Sequence, residues 1–166
     1  MRWIWIDKFV EFTPRVSATA VKNVTLAEEH LHDLYPAFPI VPHSLIVEGM
    51  AQTAGILVGE ARNFAEKVIL AKIGRATFHR LVRPGDTIQY TARIEQLSEQ
   101  GASIRGTVTV GAQPGGPGDL VAEIELMFSH IDQNMAGMKF PEHNFVFTEQ
   151  FTELLKTYRI DATVNL

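Results

Sequence analysis

One stretch constrains this chain more than any other: Phe38-Pro39-Ile40-Val41-Pro42-His43-Ser44-Leu45-Ile46-Val47-Glu48-Gly49-Met50-Ala51-Gln52. Prolines lead into a helical run expected to extend from about Ser44, its N-cap, to Asn63. Through its first half the run is apolar nearly all round, except for Glu48 and Gln52, which lie four residues apart and so share a face. A helix without a polar side belongs inside a protein, because exposing it forfeits the burial that orders the chain. Glu48, in the middle of that apolar half, is then an acid in a core. Taking an unpaired carboxylate out of water disfavours the anion, so Glu48 is expected to hold a proton near neutral pH. Such an acid is suited to protonating a leaving group.

Length and composition set the outer limits. The 166 residues are 46% hydrophobic and 20% charged, which suits one compact domain with a real core and excludes general disorder. The absence of Cys removes disulfides, a thiolate nucleophile and Cys-ligated zinc. A net charge of -4 is a poor footprint for nucleic acid. The apolar run before Asp7 is too short for a signal peptide. The greasy segment at 44–58 is broken by Glu48 and Gln52 and is short for a membrane span. A cytoplasmic enzyme or binding protein is the expectation.

The rest of the chain reads mostly as strand. Phe9–Phe12 and Val16–Val21 are rich in β-branched and aromatic residues, and Val68–Leu81 follows the helix. Arg83-Pro84-Gly85-Asp86 is a turn, then Thr87–Ile94 and Ser103–Val110 alternate apolar with polar positions. Residues 113–119 form a connection before a last strand at Leu120–Ile131. Residues 26–43 hold three prolines and three histidines and are expected to carry at most a short helical turn, with His30, His32 and Asp33 in a solvated turn. The pattern is α+β, one long helix laid on an antiparallel sheet. The domain is expected to span 1–132. In the extension, 133–166, Phe147, Phe151, Leu154, Leu155 and Tyr158 recur at the spacing of a short amphipathic helix. No glycine motif for a nucleotide cofactor occurs, and His30, His32 and His43 lack the spacing of a metal site.

Four segments together resemble the β-hydroxyacyl-acyl-carrier-protein dehydratases of the hot-dog fold. They are Trp5-Ile6-Asp7-Lys8, Lys22-Asn23-Val24-Thr25, the stretch Pro39 to Gln52, and Ala76-Thr77-Phe78-His79-Arg80 with Pro84-Gly85-Asp86. The resemblance runs from about Trp3 to His130. It implies a long helix wrapped by an antiparallel sheet and a homodimer, or a higher oligomer built from dimers, with active sites at the subunit boundary. It implies a 3-hydroxyacyl thioester of acyl carrier protein or coenzyme A as substrate. In such enzymes a His removes the proton beside the thioester carbonyl, the helix acid protonates the departing hydroxyl, and amides at the helix start polarise the thioester oxygen. Carried onto this chain, Glu48 is the acid, while Pro42, Ser44, Gln52 and Phe78 contact substrate; Gln52, one turn on from Glu48, would equally hydrogen-bond the acid or pocket backbone, or be a purely structural amide. Gly55 and Gly59 continue the Gln52 face, where an acyl chain or a packed backbone would fit equally.

The chain departs from the pattern at the base. The family places its His fourteen residues before the acid, where this chain has Leu34, and His43 stands in place of a Gly at the helix start. Two residues are candidates to replace it: His43, five residues from Glu48, and His32, two residues before the vacated position. Without a base, the chain would be a non-catalytic acyl-thioester or acyl-carrier binding protein, and a hot-dog thioesterase is a third reading. Lys67, Lys72, Arg75, Arg80 and Arg83 follow one another with no acidic residue between, a row that would steer an acidic carrier or would equally be a solvated strand face.

Overall fold

The computed structural model describes residues 4–111 and 118–131. The amphipathic segment from Phe147 to Tyr158 and most of the 113–119 connection lie outside them. Six strands and two helices follow in the order β1 (Lys8–Thr13), β2 (Ser17–Asn23), α1 (Glu29–Asp33), α2 (His43–Glu60), β3 (Val68–Phe78), β4 (Thr87–Leu97), β5 (Gly101–Val110) and β6 (Asp119–His130). The strands form one antiparallel sheet in the order β1-β2-β4-β5-β6-β3. This is the α+β, hot-dog arrangement, with α2 lying on the sheet. Period-two alternation fixes which face is covered: along β5, Ala102, Ile104, Val108 and Val110 are buried while Arg105 and Thr107 are exposed.

Three of the segments that carry the resemblance meet at one corner. Asp7 Oδ2 accepts the backbone N–H of Asn23 at 2.7 Å and its side-chain amide at 3.1 Å. Asn23 Oδ1 in turn accepts the Thr87 hydroxyl at 2.9 Å. Val24 then exchanges backbone hydrogen bonds with the following turn, Val24 N–H to Asp86 O at 3.0 Å and Gly85 N–H to Val24 O at 2.9 Å. Residues far apart in the chain are thus held together by groups whose partners have to be in place for the corner to close.

Helix α2 has no solvent face beyond its first turn. Ile46, Met50, Ala54 and Leu57 are fully buried, and no residue from Leu45 to Glu60 is exposed. Its boundaries differ from the sequence reading. Pro42, not Ser44, is the N-cap: its φ of -57° and ψ of 141° stop the helix, and its carbonyl accepts Leu45 N–H at 3.0 Å. Ser44 is instead the second helical residue and exposed. The helix ends at Glu60 rather than Asn63, because Asn63 and Phe64 adopt φ values of 52° and 55°. Phe64 N–H bonds back to Gly59 O at 2.8 Å while its ring is buried, which holds the left-handed turn in place. β3 likewise stops at Phe78, three residues before the expected Leu81.

One glycine governs how closely helix and sheet approach. A Cβ on Gly49 would overlap the Tyr90 ring and lie 2.7 Å from Trp5 Cδ1. Gly49→Ala is therefore expected to cost about 1–3 kcal/mol in urea unfolding, the usual cost of overpacking. Gly55→Ala is the control. A Cβ there meets Phe128 Cε1 at an ordinary 3.5 Å, and Ala favours helix by up to about 1 kcal/mol. That variant is expected to unfold at the parent's urea midpoint or above it.

Candidate active site

Glu48 and Gln52 sit on the side of α2 that the sheet covers least. Both are half-buried, in a stripe with Val47, Ala51 and Gly55. The expectation of an acid sealed in the core is therefore corrected for the single chain, because one sheet encloses only one side of the helix. Nor is the carboxyl unpartnered: Gln52 Nε2 donates to Glu48 Oε1 at 2.7 Å. Gln52 Oε1 accepts the backbone N–H of Trp5 at 2.8 Å. A backbone N–H can only donate, so it pins the carbonyl end of the Gln52 amide and turns the amino end towards the acid. Oε2 of Glu48 has no hydrogen-bond partner among the described residues. Of the roles the sequence leaves open for Gln52, its side chain here bonds both the acid and pocket backbone.

Trp5 anchors this arrangement. Its indole N–H donates to the Tyr90 hydroxyl at 2.9 Å in the gap left by Gly49. Burial pushes the Tyr90 phenol far above its usual range, so it stays neutral. The His30 ring lies edge-on to Trp5, with centroids 5.2 Å apart. This corrects the reading of a solvated turn: His32 and Asp33 are exposed, whereas His30 Nε2 is enclosed without a hydrogen-bond partner. Neither Trp5 nor His30 stood out as part of the site in the sequence. Alternation would place Trp5 on a covered face, but nothing in a linear pattern says which side chain it touches.

The other candidates gather at the start of α2. His43, its first residue, stacks flat on Phe78, with ring centroids 3.9 Å apart and planes within 2°. The ring is otherwise exposed, next to half-buried Pro42 and exposed Ser44. The first helical bond comes from Leu45 N–H, so the amides of His43 and Ser44 precede the ladder and suit an oxygen gaining negative charge. Leu34, just past α1, is 55% exposed.

The basic row is far less free than its sequence suggests. Arg75 pairs with Glu125 at 2.9 Å, and Arg80 with Asp119 at 2.8 Å and Asp86 at 3.6 Å. Lys67 is buried. The missing carboxylates come from β6 and the turn before β4, because β3 pairs with β6 in a register that sets Arg75 opposite Glu125. Lys72 and Arg83 have no carboxylate partner among the described residues.

A family model described as a FabA-like domain matches residues 4–125. The 3-hydroxyacyl-[acyl-carrier-protein] dehydratase FabZ of Levilactobacillus brevis is 35% identical over 119 residues, covering 70% of this chain and 80% of that protein. The enzyme of the same name from Rickettsia bellii is 35% identical over 127 residues, covering 74% and 86%. Among solved structures, smu.793 from Streptococcus mutans bound to acetyl CoA is similar with a TM-score of 0.61 and 14% identity, covering 78% of this chain and 92% of that one. The dehydratase heterocomplex ApeI:P from Xenorhabdus doucetiae gives 0.59 at 12% identity, covering 76% and 82%. At these identities the structures establish the shared fold.

His30 gives the site a pH signature. Desolvation lowers its pKa below the ordinary 6.5, Glu28 at 4.0 Å opposes this, and Lys22 adds to it. Above 6.5 the imidazole is neutral folded or unfolded. Below that value the unfolded chain takes up the proton first, so stability falls as pH drops towards the folded pKa, by up to about 1.4 kcal/mol per unit of separation. Urea midpoints compared at about pH 7.5 and about pH 5 are expected to show this loss. His30→Phe, which keeps a ring against Trp5, is expected to remove that part of the slope.

Proposed function

Because this chain belongs to the FabA-like domain family, we propose that it is a 3-hydroxyacyl-[acyl-carrier-protein] dehydratase, a hydro-lyase of fatty-acid biosynthesis. The observation that carries the reading is a carboxyl group on a helix without a polar side, held through one oxygen by Gln52 and open at the other. His43 takes the proton from C2 of the 3-hydroxyacyl thioester. Glu48 gives its proton to the C3 hydroxyl, the C3–O bond breaks, water leaves, and a trans-2-enoyl thioester remains. The stack on Phe78 orients the imidazole, and the free amides at the helix start meet the thioester oxygen. Glu48 and His43 exchange protons with water to reset.

A second copy of the chain completes this site. His43 and Glu48 are five residues apart on one helix, which turns them roughly 140° away from each other about its axis. One substrate is reached by both only when the acid or the base comes from a partner. The surface suits this: β3 is an edge strand of 11 residues, and its Leu70 and Ile73 are 38% and 46% exposed. An apolar edge of that length invites pairing with another chain. A homodimer built across β3 would also cover the Val47–Ala51–Gly55 stripe. No helix among the described residues is long and apolar enough to cross a membrane, and we place the protein in the cytoplasm with its carrier-bound substrates. His32, exposed on α1, is the weaker candidate for the base.

The test is turnover of a 3-hydroxyacyl thioester of acyl carrier protein, followed by enoyl absorbance. Glu48→Gln and His43→Ala are each expected to lower kcat by at least about a hundredfold while the fold persists. Full activity in His43→Ala with loss in His32→Ala would move the base to His32. Carrier binding without turnover by the parent protein would mark a binding module, and release of free thiol would mark a thioesterase. Ile73→Asp is expected to convert the dimer to monomers in sedimentation and to remove activity with it.

A further inference from the structure

We propose that a recess beside the start of α2 receives the phosphopantetheine arm of the acyl carrier protein, with Arg83 holding its phosphate. The recess, about 260 Å³, is lined by Leu26, Phe38, Pro39, Arg83 and Pro84. This rests on the dehydratase reading, which supplies the carrier as partner.

Three observations converge on it. Arg75 and Arg80 are occupied by carboxylates, whereas Arg83 has none among the described residues. Its guanidinium lies 4.7 Å above the Phe38 ring. A cation held over a ring face is restrained without using any N–H donor on a carboxylate, so the donors stay available to phosphate oxygens. The backbone beneath is fixed as well, since Arg83 N–H donates to Asp86 Oδ2 at 2.9 Å and Val41 N–H to Val82 O at 2.9 Å.

The floor of the recess suits the group next to the phosphate. Leu26 and Phe38 are 53% and 47% exposed, a large apolar area for a surface loop. In the carrier's arm the phosphodiester is followed, one CH2 on, by a carbon bearing two methyl groups, then by a hydroxyl-bearing carbon, amides and the thioester. A lone cation beside an apolar hollow matches that order of anion and branched hydrocarbon. Phe38 and Pro39 lead straight into Pro42 and His43, so an arm seated here runs towards the start of α2.

The test compares carrier protein with and without its arm. The parent protein is expected to bind holo-carrier about tenfold more tightly than apo-carrier, the weight of one charged hydrogen bond. Arg83→Ala is expected to erase that difference, and Arg83→Lys to restore part of it. In turnover, Arg83→Ala is expected to raise KM for the carrier-bound substrate about tenfold relative to KM for the N-acetylcysteamine thioester, which lacks the phosphate. Equal holo-carrier binding by the parent and Arg83→Ala would overturn the proposal, as would a parent protein that does not distinguish holo- from apo-carrier. Tighter binding of coenzyme A than of holo-carrier would overturn the assignment to the carrier. Loss of the holo preference in Arg83→Ala, in a protein that turns over neither substrate, would uphold the recess while ending the dehydratase reading.

Discussion

A helix with no polar side has to be enclosed from every direction, and a single sheet encloses it from one. That geometric mismatch organises this molecule. The sheet takes Ile46, Met50, Ala54 and Leu57 to full burial, while Val47, Glu48, Ala51, Gln52 and Gly55 stay half-covered. The half-covered stripe carries the helix's acid and amide. The stripe that the sheet leaves half-covered is thus also the one that carries Glu48.

Within the stripe, polar groups are ordered by what each can donate or accept. The Trp5 amide fixes Gln52, Gln52 fixes one oxygen of Glu48, and the second oxygen is left open. The tight approach of Trp5 and Tyr90 over Gly49 supports this chain from below, and each contact depends on the next being in place. At the surface the same principle removes charge instead of placing it: β6 carboxylates neutralise Arg75 and Arg80, and the attraction left over belongs to Arg83 and Lys72.

Much of this was legible in linear order. The all-round apolar run marked α2, alternation marked β4 and β5, and Arg83-Pro84-Gly85-Asp86 marked the turn between strands. Glu48 stood out because a carboxylate in the middle of such an apolar helix demands a reason. The helix limits did not follow, because Pro42 stops the helix with its backbone while Ser44 only resembles a cap in composition. His30 was placed among solvated residues with His32, but two residues along a helix turn about 200°, which sets one ring against Trp5 and the other in solvent. The basic row left two readings open, because Glu125 and Asp119, which pair with Arg75 and Arg80, lie 50 and 39 residues away in the chain.

Local chemistry, then, determined the elements and the identity of the acid, since helix and strand periodicities and the cost of a buried charge act over a few residues. Only the tertiary structure decided which groups hold Glu48, which cations of the basic row remain unpaired among the described residues, and what His43 stacks on. Those properties depend on strand register and on which surfaces the sheet leaves open, and both are set by contacts between residues far apart in the chain.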